Sequence, residues 1–118
     1  MREIVLDTET TGLDPLNGDR LVEIGCVEVF NHIATGETYH QYVNPERDMP
    51  AGAFDVHGLS EEFLSGHPVF AEIVDAFCDF IGDSPLVIHN AKFDMGFINA
   101  ELRRLSRPLL PMSRSVDT

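Results

Sequence analysis

A chain of 118 residues can form one domain, and 43% hydrophobic with 24% charged residues excludes an intrinsically disordered protein. Eight Lys and Arg against twenty Asp and Glu give a formal net charge of −12, so the overall field repels nucleic acids and acidic membranes. A polyanionic ligand would need a local positive charge, such as a bound divalent cation. No signal peptide and no apolar stretch of about 18 residues is present, which predicts a cytoplasmic protein without membrane association.

The first half of the chain predicts three strands joined by short links. Residues 4–6 form an apolar run, and residues 21–30 are rich in β-branched side chains, both typical of strands. Residues 14–20, between them, have the composition of a turn. A third strand is predicted around Tyr39 and is expected to end at Pro45. Three strands with short connections favour an antiparallel meander.

The second half predicts helices and one further strand. Ser60, ahead of two glutamates, is typical of the cap of a short helix, and apolar spacing predicts an amphipathic helix over residues 70–81. Residues 85–89 are typical of a buried strand, and residues 93–105 predict another helix. The order β-β-β-α-β-α predicts an α/β fold with a mixed sheet, a meander followed by a β-α-β crossover, in a single domain over residues 1–118.

Two acids end the first predicted strand. Asp7 and Glu9 are two residues apart, so their side chains point to the same side of the sheet if strand pairing extends to Glu9. Two carboxylates on one side repel, and two hard cations with oxygen ligands would remove the conflict. The alternative is an exposed acidic turn. Thr10, Thr11 and Gly12 follow with hydroxyl groups and a close-approaching backbone, suited to a phosphate or sugar.

A third acid lies on an apolar helical stripe. Asp94 shares this stripe with Ile98, Leu102 and Leu105. Burying an unpaired carboxylate is costly, so Asp94 must reach solvent in a cleft, accept hydrogen bonds or coordinate a metal. The alternative is a simple acid at a helix start, stabilised by the helix dipole.

Histidines offer weaker signals. His57 is predicted to lie in a loop before a capped helix, where it either binds a ligand or makes a local turn hydrogen bond. His89, at the end of a predicted strand, is expected to be a buried histidine with its hydrogen bonds satisfied. Asn90 is expected to cap the following helix.

Three motifs carry a resemblance to a known family. The segments "DTETTG", "VHGLS" and "HNAKFD", in this order and spacing, resemble the DnaQ-like, DEDD-type 3′–5′ exonucleases, above all those that proofread for bacterial replicative polymerases. The resemblance extends over the whole chain. It implies a ribonuclease H-like fold and two-metal hydrolysis of 3′-terminal phosphodiesters, releasing nucleoside 5′-monophosphates.

The resemblance also assigns roles to residues of this chain. It implies that Asp7, Glu9 and Asp94 are catalytic and bind two divalent cations, Mg²⁺ or Mn²⁺. Three further residues are expected to contact the nucleotide: Thr10, Gly12 and His57.

The implied partners are a single-stranded or frayed 3′ end of DNA and the polymerase catalytic subunit of a replicase. Two alternatives stay open. One is a stand-alone exoribonuclease or oligonucleotidase of the same family, and the other is a catalytically silent module that docks to a polymerase.

The sequence departs from the family pattern at two places. Gly52 stands where the family commonly has an acid, five residues before the position of His57. The family's last motif, a histidine four residues ahead of a fourth metal-binding acid, would lie downstream of Asp117 and Thr118. We therefore expect residues 1–118 to be the N-terminal two-thirds of an exonuclease domain, truncated at its C-terminus and inactive or weakly active alone.

Overall fold

The computed structural model describes all 118 residues, from Met1 to Thr118. The elements follow the chain in the order β1 Arg2–Thr10, β2 Leu21–Phe30, β3 Ile33–Tyr42, α1 Ala51–His57, α2 Glu61–Ser65, α3 Phe70–Ile81, β4 Leu86–Ile88, α4 Ala91–Arg104 and β5 Ser115–Asp117. Short 3₁₀ turns occupy Pro15–Asn17 and Met112–Arg114. None of the helices has the length and apolarity needed to cross a membrane.

The strands form one mixed sheet in the order β3-β2-β1-β4-β5. β1 pairs antiparallel with β2, and β2 with β3, whereas β4 lies parallel to β1 and to β5. This arrangement confirms the predicted α/β fold of an antiparallel meander followed by a parallel crossover. β1 is therefore the central strand, with β2 and β3 on one side of it and β4 and β5 on the other.

One face of β1 belongs to the core. Ile4 and Leu6 are buried in one apolar cluster with side chains of α3 and α4, whereas Val5 between them is 43% exposed. The alternation continues to the end of the strand, because Glu9 still pairs with Glu23 of β2 before a bulge interrupts the register. The predicted shared orientation of Asp7 and Glu9 is thus confirmed, and both lie on the more open face.

The long amphipathic elements agree best with the sequence. β2 and α3 have the predicted bounds, and the five apolar residues of the α3 stripe are all buried: Phe70, Ile73, Val74, Phe77 and Ile81. Ser60 caps α2 as predicted, since its hydroxyl accepts a hydrogen bond from the Phe63 amide at 3.0 Å. α4 begins at Ala91, two residues before the predicted start.

Three predictions around the motifs are wrong in detail. His57 ends a helix, α1, rather than lying in a loop, and α1 buries no residue, so it has no apolar periodicity to reveal it. His89 is exposed rather than buried, and its Nδ1 donates to the Thr118 carbonyl at 3.1 Å. Asn90 precedes α4 with φ +58° and makes no side-chain cap hydrogen bond.

Two glycines, one inside α1 and one directly after it, should respond oppositely to a methyl group. Gly52 lies inside the helix with no atom within 4 Å of an added Cβ, whereas Gly58 ends it in the left-handed region at φ +72°. Gly52→Ala should therefore stabilise the fold by about 0.5 kcal/mol, and Gly58→Ala should destabilise it by about 1–2 kcal/mol. Chemical denaturation measures both, and a loss of stability in Gly52→Ala would contradict the helical assignment of this segment.

Candidate active site

Two carboxylates from distant parts of the chain converge on one amide. The N–H of Thr8 donates to Asp7 Oδ1 at 3.0 Å and to Asp94 Oδ2 at 3.1 Å. Asp7 comes from the central strand and Asp94 from the first turn of α4. A single hydrogen is thus shared by two anionic groups. Asp7 is exposed to solvent, but Asp94 is buried, so its oxygen does not receive the full hydrogen bond that a desolvated carboxylate needs.

The Asp94 carboxylate is the most perturbed acid of the chain. Its residue is only 5% exposed, and burial raises its pKa to about 6, with the negative charges of Asp7 and Glu9 acting in the same direction. The side chain of Thr8 and, to a smaller extent, its amide oppose this rise. Asp94 is therefore a buried, hydrogen-bonded acid and not an exposed acid at a helix start.

Glu9 lies on the same face of β1 as Asp7 and is half-buried. Burial raises its pKa, the Asp7 carboxylate raises it further, and His57 acts against the rise. No group of three or more His, Cys, Asp or Glu side chains is close enough to hold a metal ion as the side chains stand. Asp7 and Asp94 thus form a convergent pair, and Glu9 stands beside them.

A cleft of about 640 Å³ opens next to this pair. It contains Glu9 and the three residues predicted to contact a nucleotide, Thr10, Gly12 and His57. Asp7 and Asp94 do not line it, but Thr8, which binds both, does. The remaining lining residues are Thr11, Leu13, Asp19, Pro50, Gly52, Ala53, Val56 and Phe93.

His57 connects α1 to the end of β1. Its Nδ1 accepts a hydrogen bond from the Leu59 amide at 3.0 Å, so its proton is on Nε2, which donates to the Thr10 carbonyl at 3.0 Å. Both ring nitrogens are therefore bonded to backbone groups. The local turn hydrogen bond expected as an alternative for His57 is present, and the ring also forms part of the cleft wall.

The loop after β1 is held by a residue that the sequence patterns missed. Asp19 accepts hydrogen bonds from Thr11 Oγ1 at 2.9 Å, the Asp14 amide at 3.1 Å and Arg47 Nη1 at 2.9 Å. A Cβ at Gly12 would collide with the Asp19 carboxylate. The close approach expected at Gly12 is thus to Asp19 of the same chain, and no spacing in the sequence signals this contact.

The position of Gly52 also lies in the cleft. Nothing approaches within 4 Å of a Cβ built there, so the site has room for a side chain that this chain does not supply. One polar contact that an acid would make from this wall is absent.

The family model and the curated relatives that match this chain agree with each other. A family model described as exonuclease matches residues 4–118. The chain is 54% identical over 121 aligned positions to the DNA polymerase III subunit epsilon of Rickettsia felis, covering 100% of this chain and 53% of that protein. The corresponding subunit of Escherichia coli K12 is 47% identical over 112 positions, covering 92% of this chain and 46% of that protein. The chain thus spans about half the length of the curated relatives it matches.

Solved structures agree on the fold. The metal-free form of Escherichia coli exonuclease I in complex with single-stranded DNA superimposes with a TM-score of 0.85 over 98% of this chain and 28% of that chain. Because the sequence identity is 16%, this likeness shows a shared architecture alone.

Asp94 should destabilise the metal-free protein at neutral pH. Its pKa rises from 3.8 to about 6 on folding, so the folded state binds its proton more tightly than the unfolded state does. The resulting destabilisation is full above pH 6 and disappears as the pH falls through the window from about 6 to 4. Asp94→Asn, which cannot ionise, should therefore raise the Tm in EDTA by a few degrees at pH 7.5 and by little or nothing below pH 4.

Calorimetric melting at several pH values measures this difference. Asp79→Asn, an exposed acid on α3, serves as the control that removes the same charge. A lower Tm for Asp94→Asn than for the parent protein at pH 7.5 would contradict the account of Asp94 as an under-satisfied buried carboxylate.

Proposed function

The chain belongs to the exonuclease family, and on this premise we propose that it forms part of a 3′–5′ exonuclease that proofreads DNA synthesis. The observation that carries the proposal is the pair of carboxylates sharing the Thr8 amide beside a cleft. Residues 1–118 would supply the N-terminal two-thirds of the catalytic domain. The names of the relatives, DNA polymerase III subunit epsilon, support proofreading as the biological role.

The donor set fits divalent cations. Asp7 and Asp94 present anionic carboxylate oxygens, and these hard ligands are the ones that Mg²⁺ and Mn²⁺ prefer. The two carboxylates share a single amide hydrogen. A bound cation would stabilise the ionised form of Asp94 and so offset the rise in pKa that burial and the neighbouring negative charges cause. We propose that these two acids and Glu9, after rotation of its side chain, hold two such cations. Cations in this position supply Lewis acidity and activate water for attack on phosphorus.

The cleft is suited to a terminal nucleotide. Leu13 and Val56 are 84% and 79% exposed on its wall, and Phe93 lines it with an aromatic ring. Apolar and aromatic walls hold a base by stacking and contact, without selecting its identity. The end of β1 and the turn that follows it, which carry Thr10 and Gly12, would then hold the sugar and phosphate against the carboxylates.

His57 would keep the cleft in shape for the reacting bond. His57 donates to the Thr10 carbonyl and thereby fixes the cleft wall relative to β1. Hydrolysis would break the bond between phosphorus and the 3′ oxygen, with water attacking from the opposite side, and release a nucleoside 5′-monophosphate. A frayed or single-stranded 3′ end enters such a cleft more readily than a paired end, which favours removal of mismatched nucleotides.

The whole protein is proposed to act with the catalytic subunit of a bacterial replicase in the cytoplasm. The 118-residue chain, with a net charge of −12, has no general attraction to DNA, so the cations and the polymerase would supply the affinity for the substrate.

The test uses the product of the complete gene, with the 118-residue chain in parallel. In Mn²⁺, the complete product should shorten 3′-labelled single-stranded DNA by releasing the labelled mononucleotide first, and EDTA should stop the reaction. Asp94→Ala should reduce the rate by at least about 10²-fold, because a charged group in the reacting centre is lost. Asp79→Ala, which removes an exposed acid, is the matched control and should retain the parental rate.

Three results would contradict the proposal. They are release of the 3′ label only after the rest of the strand has been degraded, hydrolysis of RNA without hydrolysis of DNA, and undiminished activity in Asp94→Ala.

A further inference from the structure

The N-terminus of α4 is capped by a side chain from strand β5. The Asp117 carboxylate, on β5, accepts hydrogen bonds from the amides of Asn90 at 3.1 Å and Ala91 at 3.3 Å. These amides belong to the group at a helix start that has no partner within the helix. A carboxylate at this end also interacts favourably with the helix dipole.

No local residue performs this role. Asn90 adopts a left-handed conformation with φ +58°, and its own side chain makes no cap hydrogen bond. The sequence-local cap that α2 receives from Ser60 is thus absent at α4, and Asp117 replaces it from 26 residues away. The helix start is fixed to the sheet and not merely to its own preceding loop.

The capping strand is itself anchored. Asp117 lies opposite Ile88 in the parallel pairing of β5 with β4. The next residue, Thr118, donates its amide to the Ile88 carbonyl at 3.2 Å and accepts from His89 Nδ1 at 3.1 Å. Asp117 therefore has a defined position relative to the sheet, although its side chain is exposed.

The first turn of α4 is attached to the sheet at two points. Asp117 holds its amides to β5, and Asp94, about one turn further along, reaches the Thr8 amide of β1. We propose that Asp117 is a positioning residue: by capping α4 it fixes the helix so that Asp94 meets Asp7 at the Thr8 amide. The inference rests on the proposed function only where metal affinity is used to measure it.

A cap that acts only on stability makes a different prediction from a cap that positions Asp94. Asp117→Ala removes both hydrogen bonds, and Asp117→Asn removes the charge but keeps one acceptor oxygen. Ser60→Ala is the matched control, since it also removes a helix cap but from α2, which carries none of the acids at issue. Mn²⁺ affinity is measured by electron paramagnetic resonance on the 118-residue chain and on the complete gene product, with Asp94→Ala as the reference for loss of the site.

Positioning predicts that Asp117→Ala weakens Mn²⁺ binding by at least about 10-fold, and that Asp117→Asn recovers most of this loss. Ser60→Ala should lower the Tm about as much as Asp117→Ala does, but it should leave the Mn²⁺ affinity unchanged. Equal weakening in Asp117→Ala and Asp117→Asn would mean that the charge acts at long range, and an unchanged affinity in Asp117→Ala would mean a cap for stability alone. Either result overturns the inference.

A second measurement needs no metal. In EDTA, the Thr8 amide proton reports on its bond to Asp94, so its chemical shift should change in Asp117→Ala and stay near the parental value in Ser60→Ala. An unchanged Thr8 shift in a folded Asp117→Ala protein overturns the inference, whether or not the parent protein binds Mn²⁺. Absence of Mn²⁺ binding in the parent protein would instead count against the proposed function.

Discussion

The structure depends on one amide hydrogen that two carboxylates share. Thr8 N–H lies between Asp7 and Asp94, which are far apart in the sequence, and burial raises the pKa of Asp94 to about 6. A fold selected for stability alone would neutralise this pair or separate it. The buried charge of Asp94 is expected to lower the stability of the metal-free protein, a pattern common where a site is organised for a ligand that arrives later.

The arrangement of the sheet creates this meeting point. β1 is the central strand, with an antiparallel partner on one side and a parallel one on the other. The crossover that makes β4 parallel to β1 also delivers the start of α4 to the end of β1, because a helix that follows a parallel strand begins at the strand's carboxyl end. Asp94 therefore meets Asp7 through topology, and the cap from β5 fixes the remaining freedom of the helix.

The sequence predicted the parts that have a strong period. α3 and β2 were recognisable because apolar residues repeat along them, and Asp94 stood out because a charged side chain interrupts such a stripe. α1 buries nothing, so its seven residues carry no period and could be assigned only from the structure. The Asp19 contacts at Gly12 and the Asp117 cap also escaped prediction, since each depends on tertiary pairing between residues without a local pattern. Motif spacing identified which acids to consider, but not that Asp7 and Asp94 share the Thr8 amide while Glu9, beside them, does not bind it.

The central claim is that Asp7 and Asp94 converge in order to share a cation, and locating that cation tests it most directly. Crystals of the complete gene product grown with Mn²⁺ would be measured at the manganese absorption edge, where anomalous scattering identifies the ion. A manganese peak held by the Asp7 and Asp94 carboxylates is expected, and it should be absent from crystals of Asp94→Asn. Manganese peaks only elsewhere on the molecule, with the two carboxylates still sharing the Thr8 amide, would contradict it.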